Sequence, residues 1–196
     1  MKKFLLLSWL IVIFSGIYWL FWHNDWKYSL PTPLPVNYHA VNRGTYIDLP
    51  VAKDDKPVFL HFFNPACPCS KFNIKHFRTL VKQYRDRVSF VVVVVSRDRD
   101  YTAKDIQQKF DLDIPVLLDH SIATSCGVYS TPQAAILDAE HKLYYRGNYN
   151  KSRYCTNINS NYAKMAMDSL LDNRSNPVFD IAAFKSYGCS LPGCKK

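Results

Sequence analysis

The sequence predicts an α/β domain of three layers, a mixed central sheet with helices on both faces, preceded by one N-terminal transmembrane helix. Three observations predict it. The run FLLLSWLIVIFSGIYWLFW, Phe4 to Trp22, carries no charged residue. Two segments read as strands, PVFLHFF (Pro57–Phe63) as a buried one and VSFVVVVV (Val88–Val95), strongly β-branched without alternation, as one covered on both faces. Between and after them, apolar residues recur at three- and four-residue spacing, the helical period.

Taken in order, Lys2 and Lys3 precede the apolar run, which as a helix would span roughly 28 Å, about one hydrocarbon core. That is longer than the h-region of a cleaved signal, and the flank HNDWKYSL holds no small-x-small site. Trp19, Trp22 and Trp26 gather at the far end, where an interfacial aromatic belt sits. The positive-inside rule leaves the N-terminus cytoplasmic. The expectation is a signal-anchor over residues 1–23, single-pass in the inner (cytoplasmic) membrane, with the C-terminal domain in the periplasm. Residues 24–42 read as a Pro-rich linker, with Pro31, Pro33 and Pro35 favouring an extended spacer.

The domain is expected over residues 43–175, with residues 176–196 as a C-terminal helical extension carrying a cysteine pair. A short strand over 41–49 leads into the strand Pro57–Phe63. A helix follows from Cys69 to about Arg87, with Phe77, Leu80, Val81 and Tyr84 on its apolar face. Lys71, Lys75, Arg78, Lys82 and Arg85 form a basic stripe on another face, the pattern of a solvated helix side. After the valine strand come a helix over Thr102–Phe110, a strand near Ile114–Leu118 and a helical turn at Ser121–Cys126. QAAILD and KLYYRG flank the turn Asp138-Ala139-Glu140-His141 as a hairpin. Helices are expected over Asn161–Asp172 and Phe179–Tyr187. Parallel crossovers followed by a hairpin give the mixed sheet.

The formal net charge is +9 over 196 residues. No zinc-finger spacing and no aromatic RNP-type strand accompany it, so no nucleic-acid partner is expected. Chemistry concentrates in HFFNPACPCSKFN, His61 to Asn73. There Cys67-Pro68-Cys69 sits where a strand ends and a helix begins, the position at which sites collect in open α/β sheets. A helix N-terminus favours a thiolate, so Cys67 is the candidate nucleophile and Cys69 the candidate resolving thiol. An extended i, i+2 pair lies at or beyond the span of a disulfide, so the chain must bend to join them, or Cys67 resolves with a distant cysteine. Cys189 and Cys194 flank a Pro-Gly turn that makes a local staple geometrically easy. Cys126 and Cys155 either pair or supply the resolving thiol. Six cysteines allow about 15 connectivities, and spacing does not choose among them.

Two motifs, the strand running into FFNPACPC and the segment GVYSTPQAAILDAEHKLYYRG (Gly127–Gly147), resemble the thioredoxin-like superfamily. The nearest likeness is to its membrane-anchored extracytoplasmic TlpA/ResA type, and to a group of anchored thioredoxin-like bacterial proteins. The resemblance covers roughly Pro57 to Leu171. It implies a thioredoxin-like fold, thiol–disulfide oxidoreductase activity without a cofactor or resident metal, and protein thiol or disulfide substrates with a redox partner protein. It also implies that Pro132 is the cis-proline of the substrate groove, preceded by Thr131. The chain departs from the family in having one residue, not two, between its cysteines. A peroxiredoxin reading fits less well, because Asn64-Pro65-Ala66 precede Cys67 where a threonine is expected. Two alternatives stay open. One is a copper-binding metallochaperone on the same fold, since thiolates suit Cu(I) and His61, His76, His120 or His141 could add a donor. The other is a non-catalytic binding module whose cysteines are staples.

Overall fold

The computed structural model describes residues 2–51, 54–96, 101–173 and 177–191. Helix α1, Lys2–Phe21, continues through a π-helical turn, Trp22–Trp26, into the short α2, Lys27–Ser29. This is one helix long and apolar enough to cross a membrane, and its large side chains face outward.

The sheet is built from β1 (Val58–Phe63), β2 (Ser89–Val94), β3 (Val116–Leu117), β5 (Gln133–Leu137) and β6 (Leu143–Gly147), in the order β3-β2-β1-β5-β6. β1 pairs parallel with β2 and antiparallel with β5, which makes it the central strand. All six of its residues are buried, as a run without alternation requires. Helix α3 (Pro68–Tyr84) turns Ile74, Phe77, Leu80 and Tyr84 inward and leaves Lys71, Lys75, Arg78 and Lys82 exposed, with Arg85 exposed at its C-cap. α4 (Ala103–Phe110) begins with a reciprocal capping box between Thr102 and Asp105. α5 (Ser121–Ser125) and α6 (Tyr162–Leu171) complete the helices.

Two cores result. Phe59, Phe63, Phe77, Tyr149, Ala166 and Met167 pack between the sheet and α3 and α6. Leu60, Phe62, Val91, Val93, Ile122 and Leu137 pack on the opposite face with α5, joined by Ile47 and Leu49. With strand order, helices on both faces and a cis Thr131–Pro132 bond before the hairpin, the fold is thioredoxin-like, as the sequence predicts.

Two segments differ from expectation. Over 41–49 the leading strand is reduced to a bridge between Tyr46 and Lys142, with Gly44 N donating to Leu143 O at 2.8 Å. The helix expected over Phe179–Tyr187 is only a 3₁₀ turn, Ile181–Ala183. Its carbonyls are taken elsewhere: Asn148 N donates to Ala183 O, and Asn148 Nδ2 donates to Ala182 O and Lys185 O, each at 2.8 Å. The chain then extends as β7 (Cys189–Ser190), antiparallel to β4 (Ser130–Thr131).

Candidate active site

β1 delivers the chain to a tight turn at the carboxyl edge of the sheet. Cys67 N donates to Asn64 O at 3.0 Å, and the Asn64 side chain accepts from Ala66 N at 2.9 Å. Cys67 is the N-cap of α3, in extended conformation (φ −80°, ψ 124°), and Pro68 follows as the first helical residue. Proline suits that position because its missing N–H would have had no partner there. Cys67 therefore lies at the positive end of a 17-residue helix, as the sequence anticipates.

The partner of Cys67 is Cys189. The two are bridged, with Cα atoms 6.4 Å apart and 122 positions between them in sequence. This replaces the expected local staple: Cys189 is taken by Cys67, and Cys194 lies outside the described residues. The cause is the β4–β7 pairing, which sets Cys189 opposite Thr131, while the Cys67 sulfur lies 3.8 Å from Thr131 O. Gly188 permits the approach. It has φ +103°, and a Cβ there would stand 2.2 Å from Thr131 O. Thr131 O thus lies beside the bridge, and the cis peptide bond to Pro132 follows it.

Cys69 is not bridged to Cys67. Its sulfur and those of Cys67 and Cys189 lie within 4.8 Å of one another, and all three residues are buried. No histidine joins this group among the described residues. His61 instead points into the aromatic core, where Nδ1 meets Tyr149 Oη at 2.7 Å. Burial, with the His76 charge adding to it, pushes His61 down to about 3.

The other two cysteines part company. Cys155 sits near the site: Asn73, one turn beyond Cys69 on α3, donates to its sulfur at 3.2 Å. Burial pushes the Cys155 thiol up to about 11, with the Asn73 bond opposing. Cys126 is on the α5 face, where burial pushes it up to about 12. The structure pairs neither with Cys67.

Two features escaped the sequence reading. Arg153, in the loop between β6 and α6, has a side chain only 3% exposed and forms a 2.7 Å ion pair with Asp25. Its only sequence cue is that it lies two residues before Cys155, which signals nothing by itself. The second is the segment that follows the N-terminal helix. Tyr28 packs on the three cysteines, Tyr28 O accepts from Gly188 N at 3.3 Å, and Thr32 N donates to Ser186 O at 2.8 Å. The segment expected to be an extended spacer runs along the site in this structure.

Solved structures resemble the chain over most of its length. An uncharacterized conserved protein from Geobacillus kaustophilus is 26% identical, with a TM-score of 0.60 over 71% of this chain and 78% of that one. A hypothetical protein from Sinorhizobium meliloti 1021 is 18% identical, with a TM-score of 0.65 over 80% of this chain and 97% of that one. A thioredoxin-like protein solved in its oxidized form is 16% identical, with a TM-score of 0.49 over 74% of this chain and 95% of that one. No curated protein matches the chain. The family model that matches covers residues 39–191, from the end of the spacer through β7, so it takes in Cys67, Cys69, Arg153 and Cys189 alike. By that match the chain belongs to the family described as "Domain of unknown function (DUF6436)".

Proposed function

We propose that the protein is a membrane-tethered thiol–disulfide oxidoreductase acting on proteins in the periplasm, with Cys67 of the Cys-Pro-Cys site as nucleophile and Cys189 as its resolving partner. One observation carries this reading. Cys67 caps a helix at the carboxyl edge of the central strand and is bridged, beneath the cis-proline loop, to a cysteine from a distant segment. A bridge built from the groove itself is placed to be opened by what binds in the groove.

The exchange conserves electrons. A Cys67 thiolate attacks a substrate disulfide, forming a mixed disulfide and releasing one substrate thiolate. Cys189, as thiolate, then attacks Cys67 Sγ; the second substrate thiolate leaves and the Cys67–Cys189 bridge forms. Two electrons pass to the substrate, and a redox partner returns them by the same exchange. Read backwards, the sequence oxidises a substrate dithiol. The helix N-terminus serves both directions by stabilising Cys67 as attacking or departing thiolate.

The test uses the full-length chain in detergent, because residues 25–32 pack on the site. Cys189→Ser should trap protein substrates on Cys67 as mixed disulfides, and Cys67→Ser should trap none there. A Cys189→Ser chain that captures nothing, with a wild-type bridge that glutathione buffers leave untouched, would overturn the reading in favour of a structural staple. Protease added to the outside of intact spheroplasts should digest the domain; full protection would refute the periplasmic placement.

A further inference from the structure

Cys69 is the sulfur that the Cys67–Cys189 bridge leaves over. Burial by itself would make it as inert as Cys126 or Cys155, both pushed far above the ordinary thiol range. Arg153 sets it apart. Burial pulls against the Arg153 charge, yet hydrogen bonding to Tyr154 and the proximity of Cys69 more than offset that, so the group holds its proton more tightly than usual. Arg153 Nη2 donates to Asp25 Oδ1 and to Tyr154 Oη, each at 2.7 Å. Its Nε and Nη1 are buried without a hydrogen-bond partner among the described residues. Two idle donors on a buried cation are costly unless an anion faces them. Asp25 covers one edge of the guanidinium from the anchor helix; Cys69 is the group placed to complete it. Of the titratable side chains near Cys69, Tyr28 packs on the cysteine cluster, Asp25 and Tyr154 bond Arg153, and Cys155 and Tyr187 lie close by. Burial, with the Cys155 and Cys69 thiols adding to it, pushes Tyr187 well above its ordinary range, so it remains a neutral hydroxyl.

We propose that Arg153 holds Cys69 as a thiolate and that this thiolate exchanges with the Cys67–Cys189 disulfide, which makes the site a three-cysteine relay. The proposal rests on the oxidoreductase reading of Cys67 and adds a second internal partner for Cys189. In the step, Cys69 Sγ attacks Cys189 Sγ. A Cys69–Cys189 bond forms, the Cys67–Cys189 bond breaks, and the electron pair leaves on Cys67 Sγ. No outside oxidant or reductant is consumed. Cys67 is the better leaving group, since its thiolate meets the positive end of α3, whereas Cys189 sits on a strand. The product carries a free Cys67 thiolate beneath the groove while the chain as a whole remains oxidised. Arg153 acts through Cys69 and is a positioning residue.

The experiment removes Cys67 and asks whether the other two sulfurs join. Full-length Cys67→Ser, oxidised with diamide and quenched in acid, should yield a Cys69–Cys189 linked peptide by mass mapping. Its rate of formation should already be flat at neutral pH. With Arg153→Met added, the rate at neutral pH should fall about tenfold or more and should rise with pH like an ordinary thiol of pKa about 8.5. Arg153→Lys should restore most of the rate, and a circular dichroism spectrum matching wild type controls for folding. A Cys67→Ser chain in which Cys69 stays unlinked to Cys189 overturns the relay. A pH profile that Arg153→Met leaves unchanged overturns the role of Arg153. Capture of substrates through Cys67 in Cys189→Ser is read separately, so the relay can fail while the oxidoreductase reading stands.

Discussion

The two faces of the central sheet each bury a titratable side chain, in different company. On the α3 and α6 face, His61 stacks on Phe77 at 4.2 Å and bonds Tyr149, and burial keeps it neutral down to about pH 3. On the α5 face, Cys126 lies among aliphatic residues such as Ile122 and Val128, and burial keeps it protonated up to about 12, with Arg146 opposing only in part. Both layers therefore exclude the ionised form of what they bury. The cysteines at the carboxyl edge are just as deeply buried, but there the chain supplies a helix N-terminus and a guanidinium. Burial silences a thiol or an imidazole; in the proposed relay, the charges at the edge are what set its cysteines apart.

The sharpest way to break this comparison is to open the aromatic layer. Phe77 is fully buried against Phe59, Phe90 and His61. Phe77→Ala should cost about 3–5 kcal/mol in urea unfolding. It should also let water reach His61, so that its titration, followed by NMR, moves back up towards the ordinary range. An unchanged His61 titration would mean that Phe77 is not what excludes the charge.

The edge should lose nearly as much when its bridge is cut. Cys189→Ala removes a link across 122 positions and should lower stability by about 2–5 kcal/mol under oxidising conditions. Under reducing conditions the difference from wild type should shrink to the small packing cost of the side chain. A loss that is the same in both buffers would assign the effect to packing.

A smaller effect isolates His61 by pH. An unfolded chain takes up a proton on this histidine below about 6.5, the folded one only near 3. The stabilising preference for the neutral ring is thus fully present above pH 6.5 and is lost as pH falls towards 3, at up to about 1.4 kcal/mol per pH unit for one proton. His76 is also lowered, mainly by burial, and adds with the same sign. His61→Phe should remove one proton's share of the slope, read from urea midpoints between pH 4 and 6.5. An unchanged slope would place the proton uptake elsewhere.

The solvated side of α3 provides the weakest case. Arg78 pairs with Asp111, but both side chains are about half exposed or more. Arg78→Ala should change stability by less than about 0.5 kcal/mol and leave Cys67 reactivity unaltered. A large effect on thiol exchange would give the basic stripe a role in binding that its exposure does not suggest.

Much of this architecture was legible without coordinates, because its signals are local. Val88–Val95 could only be a strand covered on both faces, and Phe77, Leu80 and Tyr84 could only share the apolar side of a helix. Pro132 before a hairpin marked the cis peptide bond, and the strand-to-helix junction placed Cys67 at a helix N-terminus. The C-terminal stretch was misread for an equally physical reason. Its apolar spacing suits a helix, but Asn148 claims the carbonyls a helix would use, and that residue is some 30–40 positions away. The local Cys189–Cys194 pairing failed on the same ground, since proximity in sequence competes with proximity made by a sheet.

The sequence by itself determined the fold, the apolar N-terminal helix and the place of Cys67, since each follows from periodicity, length or a residue's own backbone preference. Only the tertiary structure decided which sulfur faces Cys67, because β7 reaches it through pairing with β4 and the bare Cα of Gly188. The same holds for Arg153, an unremarkable loop arginine until folding buries it between Asp25 and Cys69. Charge and burial act through space, and a linear chain carries no measure of that distance.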